Sequence, residues 1–203
     1  VSVPRVAEAR VPAIPSTAGQ KDRYQRILRA AAEHGAAHGI DGIQMLDVAK
    51  DAGVAIATLY RYFPSKTVLF TALLHSQVGR LDEMTPALSE VEDPAEAVGQ
   101  LLVGIGARML RSPLLAHAML ISNNAAVAGE VPTLAVTGVF ADLMFKVAGV
   151  TDPSPYDVRL IRLVEQTWYG VLTSQLTGHI TAADADADTR LACRLLLGDL
   201  GRR

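Results

Sequence analysis

The stretch AIATLYRYFPSK, residues 55–66, gathers a threonine, two tyrosines, an arginine and a lysine within three helical turns' worth of chain. A solvated helix usually turns lysine and glutamate toward water. Hydroxyls and a guanidinium on one short helix are instead suited to donating hydrogen bonds to phosphate oxygens and base edges. Thr58, Arg61 and Tyr62 are expected to face outward, with Tyr60 toward one flank and Val54, Leu59 and Phe63 on the apolar side. Lys66, in the first turn of the next helix, can bring its charge and the exposed backbone N–H groups to a single phosphate. Ile56 reads two ways: contact with thymine methyls, or partial packing against the helix below.

The remaining chemistry-bearing residues form no catalytic constellation. His34 and His38 stand four apart beside Glu33, a spacing that could serve a metal pair, but the order H-E-x-x-H is absent and no third ligand is evident. They read as surface histidines, and no metal is expected. His117 and His179 are isolated; His117 could bond an effector or serve structure alone. Gly104 and Gly106 form a G-x-G inside a helical pattern with no preceding strand, so they are not a nucleotide loop. The lone Cys193 excludes an intramolecular disulfide, fits a reducing compartment and reads as a small buried hydrophobe. Neither an enzyme nor a cofactor is expected.

The elements that must position the reading residues are helical throughout. After a proline-rich stretch read as a flexible arm, residues 1–20, the positions Tyr24, Ile27, Leu28, Ala31 and Ala32 recur at helical spacing until Gly39. A short helix follows at about Met45 to Ala52, ended by Gly53, and a second at about Ala55 to Tyr62. Ser65 can cap a fourth helix carrying Leu69, Leu73, Val78 and Leu81. Asp93-Pro94 and Ser112-Pro113 open two more. After the GEVP punctuation at 129–132 comes a segment through Val139 and Val147. A further helix starts near Asp152 or Ser154, and the last spans roughly Ala185 to Leu197. No stretch alternates with period two for long, so the fold class is all-α.

A short helix, a glycine turn and a second short helix packed on a longer one make a helix-turn-helix. The charge distribution agrees. Residues 1–80 hold ten Lys and Arg against six Asp and Glu, whereas residues 81–203 hold nine against fifteen. A basic part suits a polyanion. VAKDAGVAIATLYRYFPSKTVL resembles the recognition segment of the tetracycline-repressor (TetR) family, with a match covering about Arg23 to Leu74. The resemblance implies a one-component regulator, in its usual form a repressor, with a DNA-binding unit at 21–68 and an effector-binding and dimerisation domain at 69–203. It places Thr58, Tyr60 and Lys66 on phosphates and Arg61 and Tyr62 on bases or phosphates of double-stranded operator DNA. Gln44 and Ile56 join them as candidate DNA contacts. Three positions depart from the family pattern: Gln44 where threonine often caps, Ala55 where serine often caps, and Ala57 where glycine is common. A missing serine cap costs about 0.5–2 kcal/mol, so the free headpiece should be less rigid. The arm's Arg5 and Arg10, with Lys21 and Arg23, could reach a neighbouring minor groove or belong to a leader with no such role.

The acidic half is rich in Leu, Val, Ala and Met, so a pocket there would be apolar. Leu102, Ile105, Met109, Met119, Phe140, Met144, Trp168 and Leu172 are the candidate liners for a bulky hydrophobic effector, each also a plausible core residue. RSPLLAHAM, Trp168 and RLLLGD are similar to stretches of the actinobacterial steroid-catabolism repressors within the family, which implies a steroid or acyl-CoA-type effector. A drug-responsive efflux regulator is the alternative within the family. The last two helices, about 154–178 and 185–197, are long and apolar enough to pair as a homodimer's four-helix bundle. No apolar run approaches the roughly 18 residues needed to span a bilayer, so a cytoplasmic location is expected. A helical protein-interaction module with Tyr60, Arg61 and Tyr62 as its patch is the reading outside DNA binding.

Overall fold

The structure, a computed structural model, describes residues 12–79, 91–126 and 137–201. Among these residues it contains nine α-helices. The first four are α1 (Ala18–Gly42), α2 (Met45–Asp51), α3 (Ile56–Tyr62) and α4 (Lys66–Val78). They are followed by α5 (Pro94–Met109), α6 (Pro113–Ala125), α7 (Thr137–Val147), α8 (Pro155–Leu176) and α9 (Ala182–Leu197). The expected Arg5, Arg10, Leu81 and the GEVP punctuation lie outside the described residues. None of the described helices is long and apolar enough to cross a membrane.

Local chemistry explains most helix starts. Thr17 accepts from the backbone N–H of Gln20 while the Gln20 side chain accepts from that of Thr17, a reciprocal capping box that opens α1. Ser65 accepts from Val68 N–H at α4, and Asp93 from Ala95 N–H ahead of Pro94 at α5. Ser154 with Asp157 and Thr181 with Asp184 repeat the box at α8 and α9. The last helix therefore begins three residues before the expected Ala185, because Thr181 and Asp184 satisfy its first N–H groups. Ser112 makes no side-chain cap bond, and Pro113 alone marks the start of α6. Gly39, with φ +64°, bends the chain within α1, so the break falls at the expected residue and the helix resumes to Gly42.

The stretch read as an arm is shorter than expected. Helix α1 starts at Ala18, and Pro12, Ala13 and Pro15 are half-buried. Ala13 donates its backbone N–H to the Arg61 carbonyl at 3.0 Å, fastening this segment to the end of α3. The physical reason is that two prolines present no N–H to solvate and pre-set an extended backbone that can lie along a helix end.

The packing joins the two halves more tightly than a boundary at residue 69 suggests. Helix α6 packs against both α1 and α4, while α9 packs against α5 and α8. Gly35 is the close approach: a Cβ there would lie 2.7 Å from Phe70 and 2.8 Å from Leu115. Thus α1, α4 and α6 meet where only a glycine fits. Asp157, 1 % exposed, accepts from Gly201 N–H and from Ser154, tying the chain's end to the start of α8. Those hydrogen bonds hold its carboxyl below the ordinary carboxylate value.

Candidate nucleic-acid interface and ligand cavities

Helix α3 is seven residues long, so burial and exposure are divided around barely two turns. Leu59 and Phe63 are fully buried. Tyr62, three residues after Leu59, flanks it on the same helical face and is drawn in with it, only 1 % exposed. This corrects the expectation that it faces outward. Residues three and four apart share a helical face, so placing Leu59 and Phe63 inside leaves Tyr62 little choice. Its ring meets Tyr24 of α1 edge-on at 5.7 Å and 89°, and Tyr24 also packs on Phe63 at 4.7 Å.

The Tyr62 hydroxyl nevertheless reaches Arg61. The guanidinium donates to it at 3.0 Å and lies 5.0 Å from the ring centroid. Arg61 itself is exposed, and Tyr60 beside it is 44 % exposed. Thr58 is half-buried, Ala55 and Ala57 are exposed, and Ile56 is half-buried against the core. Of the two readings of Ile56, the packing one describes its position. Gln44 is exposed at the start of α2, and neither it nor Ala55 is accompanied by a side-chain cap bond. Both short helices thus begin with uncapped N–H groups, as the departures from the family pattern led us to expect.

Lys66 is less free than a surface lysine. Its ammonium donates to the carbonyls of Ile40 at 3.1 Å and Asp41 at 3.4 Å, joining the start of α4 to the end of α1. An ammonium has three donors, so two bonds to carbonyls leave one for a further acceptor.

Other supports of this face were not read from the sequence, where Arg26 went unmentioned and His34 was taken for a surface histidine, although it is half-buried. Arg26 donates to the carbonyls of Ala52 and Gly53, the latter at 3.3 Å, bracing the turn in which Gly53 has φ +62°. His34 Nε2 lies 2.7 Å from Asp51 Oδ2, which ties α1 to α2. Among the described residues no group of three His, Cys, Asp or Glu side chains is placed to hold a metal. Leu46, 65 % exposed on α2, is the other omission. The Met45, Val48, Ala49, Ala52 spacing already put it off the buried face.

The candidate effector residues separate into two cavities on either side of α5. The first, about 320 Å³, lies between α5, α8 and α9; Leu102, Trp168 and Leu172 line it, with Arg111, Gln175, Asp186 and Thr189 as its polar groups. The second, about 240 Å³, lies between α4, α5 and α6; Ile105, Met109 and Met119 line it with Leu74, Val78 and Leu115. Arg108 and Arg111 border this second cavity, so Arg111 belongs to both walls. Phe140 and Met144 line neither: Phe140 packs on Trp168 at 5.4 Å, and Met144 is fully buried.

Helix α8 carries Glu165, whose carboxyl is pushed up to about 7 by burial. The outer face of α8 and α9 exposes leucines among polar residues such as Asp188. Leu163, Leu191 and Leu195 are 39 %, 46 % and 75 % exposed, and a shallow groove beside Leu191 and Leu195 reaches Thr167 and Val171.

Comparison with known proteins places this geometry among regulators. Residues 27–73 match the model of "Bacterial regulatory proteins, tetR family", and residues 92–196 match "Tetracyclin repressor-like, C-terminal domain". The HTH-type transcriptional repressor KstR of Rhodococcus jostii is 33 % identical over 93 % of this chain and 89 % of its own length. The protein of the same name from Mycolicibacterium smegmatis is 33 % identical over 88 % of this chain and 89 % of its own. A crystal structure of a TetR transcriptional regulator from Rhodococcus sp. RHA1 superimposes with a TM-score of 0.85 at 40 % identity. It covers 90 % of this chain and all of that one.

Proposed function

The chain belongs to the TetR family of bacterial transcriptional regulators, and on that premise we propose how it works. It is a cytoplasmic repressor that binds palindromic operator DNA as a homodimer and lets go when a bulky hydrophobic effector binds. The observation that carries the reading is Arg61, exposed on α3 and aimed by the hydroxyl of a buried tyrosine. Pre-aiming lowers the entropy lost when the guanidinium meets a base edge or phosphate. Tyr60, Thr58 and Gln44 add polar reach around it. Lys66 supplies a phosphate contact through its remaining donor, Ile56 shapes the helix from beneath, and Tyr62 acts on DNA through Arg61.

One α3 can read only a few base pairs, so specificity calls for two copies on half-sites about 34–36 Å apart or a multiple of that. The exposed leucines of α8 and α9 supply the apolar face for such a pairing. The effector enters the apolar space flanking α5. In the second cavity Ile105, Met109 and Met119 touch the wall that α4 and α6 build. In the first, Leu102, Trp168 and Leu172 form the apolar lining, backed by Phe140 and Met144. Swelling the second cavity would shift α4, whose N-terminus follows α3 directly. The resemblance of RSPLLAHAM and RLLLGD to steroid-catabolism repressors favours a steroid or acyl-CoA-type effector.

Titration of fluorescent duplex DNA tests the reading. Binding should weaken steeply with salt, and a saturating effector should release the duplex because it favours a dimer with altered head spacing. An effector that binds without changing DNA affinity would remove the regulatory half of the proposal.

A further inference from the structure

The end of α3 is held at both the backbone and the side chain of Arg61. The last four carbonyls of an α-helix lack an intrahelical partner, and in a helix as short as α3 these include the carbonyl of Arg61. Phe63 leaves the helical backbone, with φ −133° and ψ 84°, so Ser65 is not in place to bond that carbonyl as it would in a longer helix. Pro64, between them, has no N–H to give. The donor comes instead from far upstream: the N–H of Ala13 reaches the Arg61 carbonyl at 3.0 Å. At its far end the Arg61 side chain donates to the Tyr62 hydroxyl.

Both holds lead back to the start of α1. Pro12, Ala13 and Pro15 are half-buried, and Ala13 packs on the core. The N–H and hydroxyl of Ser16 donate to Gln20 Oε1 at 2.8 and 3.0 Å, beside the Thr17–Gln20 box, so residues 12–17 form a strap that runs into a fixed helix end. Two prolines limit the backbone freedom of this strap before it is fastened. Ile14, between them, is 89 % exposed, so the fastening runs through Ala13 and not through that side chain. Tyr62 in turn lies edge-on against Tyr24, in the second turn of α1.

We propose that Ala13 is a positioning residue for DNA reading. Its N–H fixes the backbone of Arg61 while Tyr62 aims the guanidinium, so base discrimination by α3 depends on the strap without the strap reading any base. This rests on the DNA-binding reading above, and the variants below separate the failure of one from the failure of the other.

Fluorescence titration compares three kinds of duplex: the one that the parent enriches from a random library, the same with single base-pair changes in its half-sites, and a scrambled sequence of equal length. Ala13→Pro deletes the N–H and keeps every charge. It should bind the enriched duplex about three- to tenfold more weakly and discriminate less against the base-pair changes. The scrambled duplex, held by charge, should be bound as the parent binds it. The conservative variant Ala13→Ser keeps the N–H and should retain the parent's discrimination, as should Ile14→Ala. Ala13→Pro combined with Arg61→Ala should bind no more weakly than Arg61→Ala alone, since losses that pass through one group do not add.

Parent-like discrimination in Ala13→Pro would overturn the strap's role and leave Arg61 its own. Additive losses in the double variant, or an equal loss on scrambled DNA, would overturn it too, because the segment would then act on the fold or on the duplex directly. Should Ala13→Pro fail to fold, Pro12→Gly with Pro15→Gly loosens the strap by adding backbone freedom; weaker discrimination there supports positioning, and unchanged discrimination overturns it. Arg61→Ala binding like the parent would sink the reading of α3 and the strap together.

Discussion

Arg61 takes its direction from a buried neighbour, and that pairing can be taken apart one atom at a time. Tyr62→Phe keeps the ring against Tyr24 but removes the hydroxyl that accepts from Arg61. A neutral partner to a charged donor contributes about 1.5–3 kcal/mol at most and less at an exposed edge. Operator affinity in fluorescence anisotropy should therefore fall about three- to tenfold, with the melting temperature nearly unchanged. Arg61→Ala should cost about 1–3 kcal/mol and broaden base preference, whereas Lys66→Ala should weaken all duplexes alike. Because Lys66 also bonds Ile40 and Asp41, its variant should also melt earlier. Glu165 gives a pH signature. Its ordinary value is 4.5 and burial raises it to about 7, so the native state holds a proton that the unfolded chain has already lost between those values. Stability from this group therefore falls as pH rises from 4.5 toward 7 and is level above. Glu165→Gln should match the parent near pH 4.5 and melt progressively higher than it toward pH 7.5. Equal melting curves across that range would show that the carboxylate is solvated.

At the scale of elements, the two short helices of the reading motif both start without a side-chain cap. Ala55→Ser should restore the missing acceptor and stabilise the headpiece by about 0.5–2 kcal/mol in urea unfolding. No gain would mean that the N–H groups of α3 are already satisfied by water. Helix positions were legible because proline, aspartate and serine at their starts act locally, within four residues. The start of α9 shows the limit: Thr181 and Asp184 carried the signal, but the apolar periodicity begins later and drew attention from it. Tyr62 marks another limit, since an amphipathic tyrosine suits either side of a helix until its neighbours Leu59 and Phe63 fix the buried face. The division of the effector candidates between two cavities had no trace in sequence, because it depends on which apolar faces α5 turns to α4 and to α9.

At the scale of the whole molecule, the reading helix α3 packs on α2, α8 and α9 pack on each other, and α6 packs on α1, α4 and α8. Gly35 is where the halves lock, and Gly35→Ala should lower stability by about 1–3 kcal/mol, since its Cβ would overlap Phe70 and Leu115. Leu191→Asp with Leu195→Asp, on the face proposed for pairing, should convert the dimer to a folded monomer in sedimentation equilibrium and abolish tight operator binding. The central claim is that two copies of α3 read a symmetric duplex through Arg61. Selection of bound sequences from a random duplex library tests it most directly, run in parallel for the parent and Arg61→Ala. The account predicts an enriched inverted repeat for the parent, with half-site centres one helical turn or a multiple apart, and loss of base preference within the half-sites for the variant. No enrichment for the parent, or the same repeat recovered unchanged by Arg61→Ala, would contradict it.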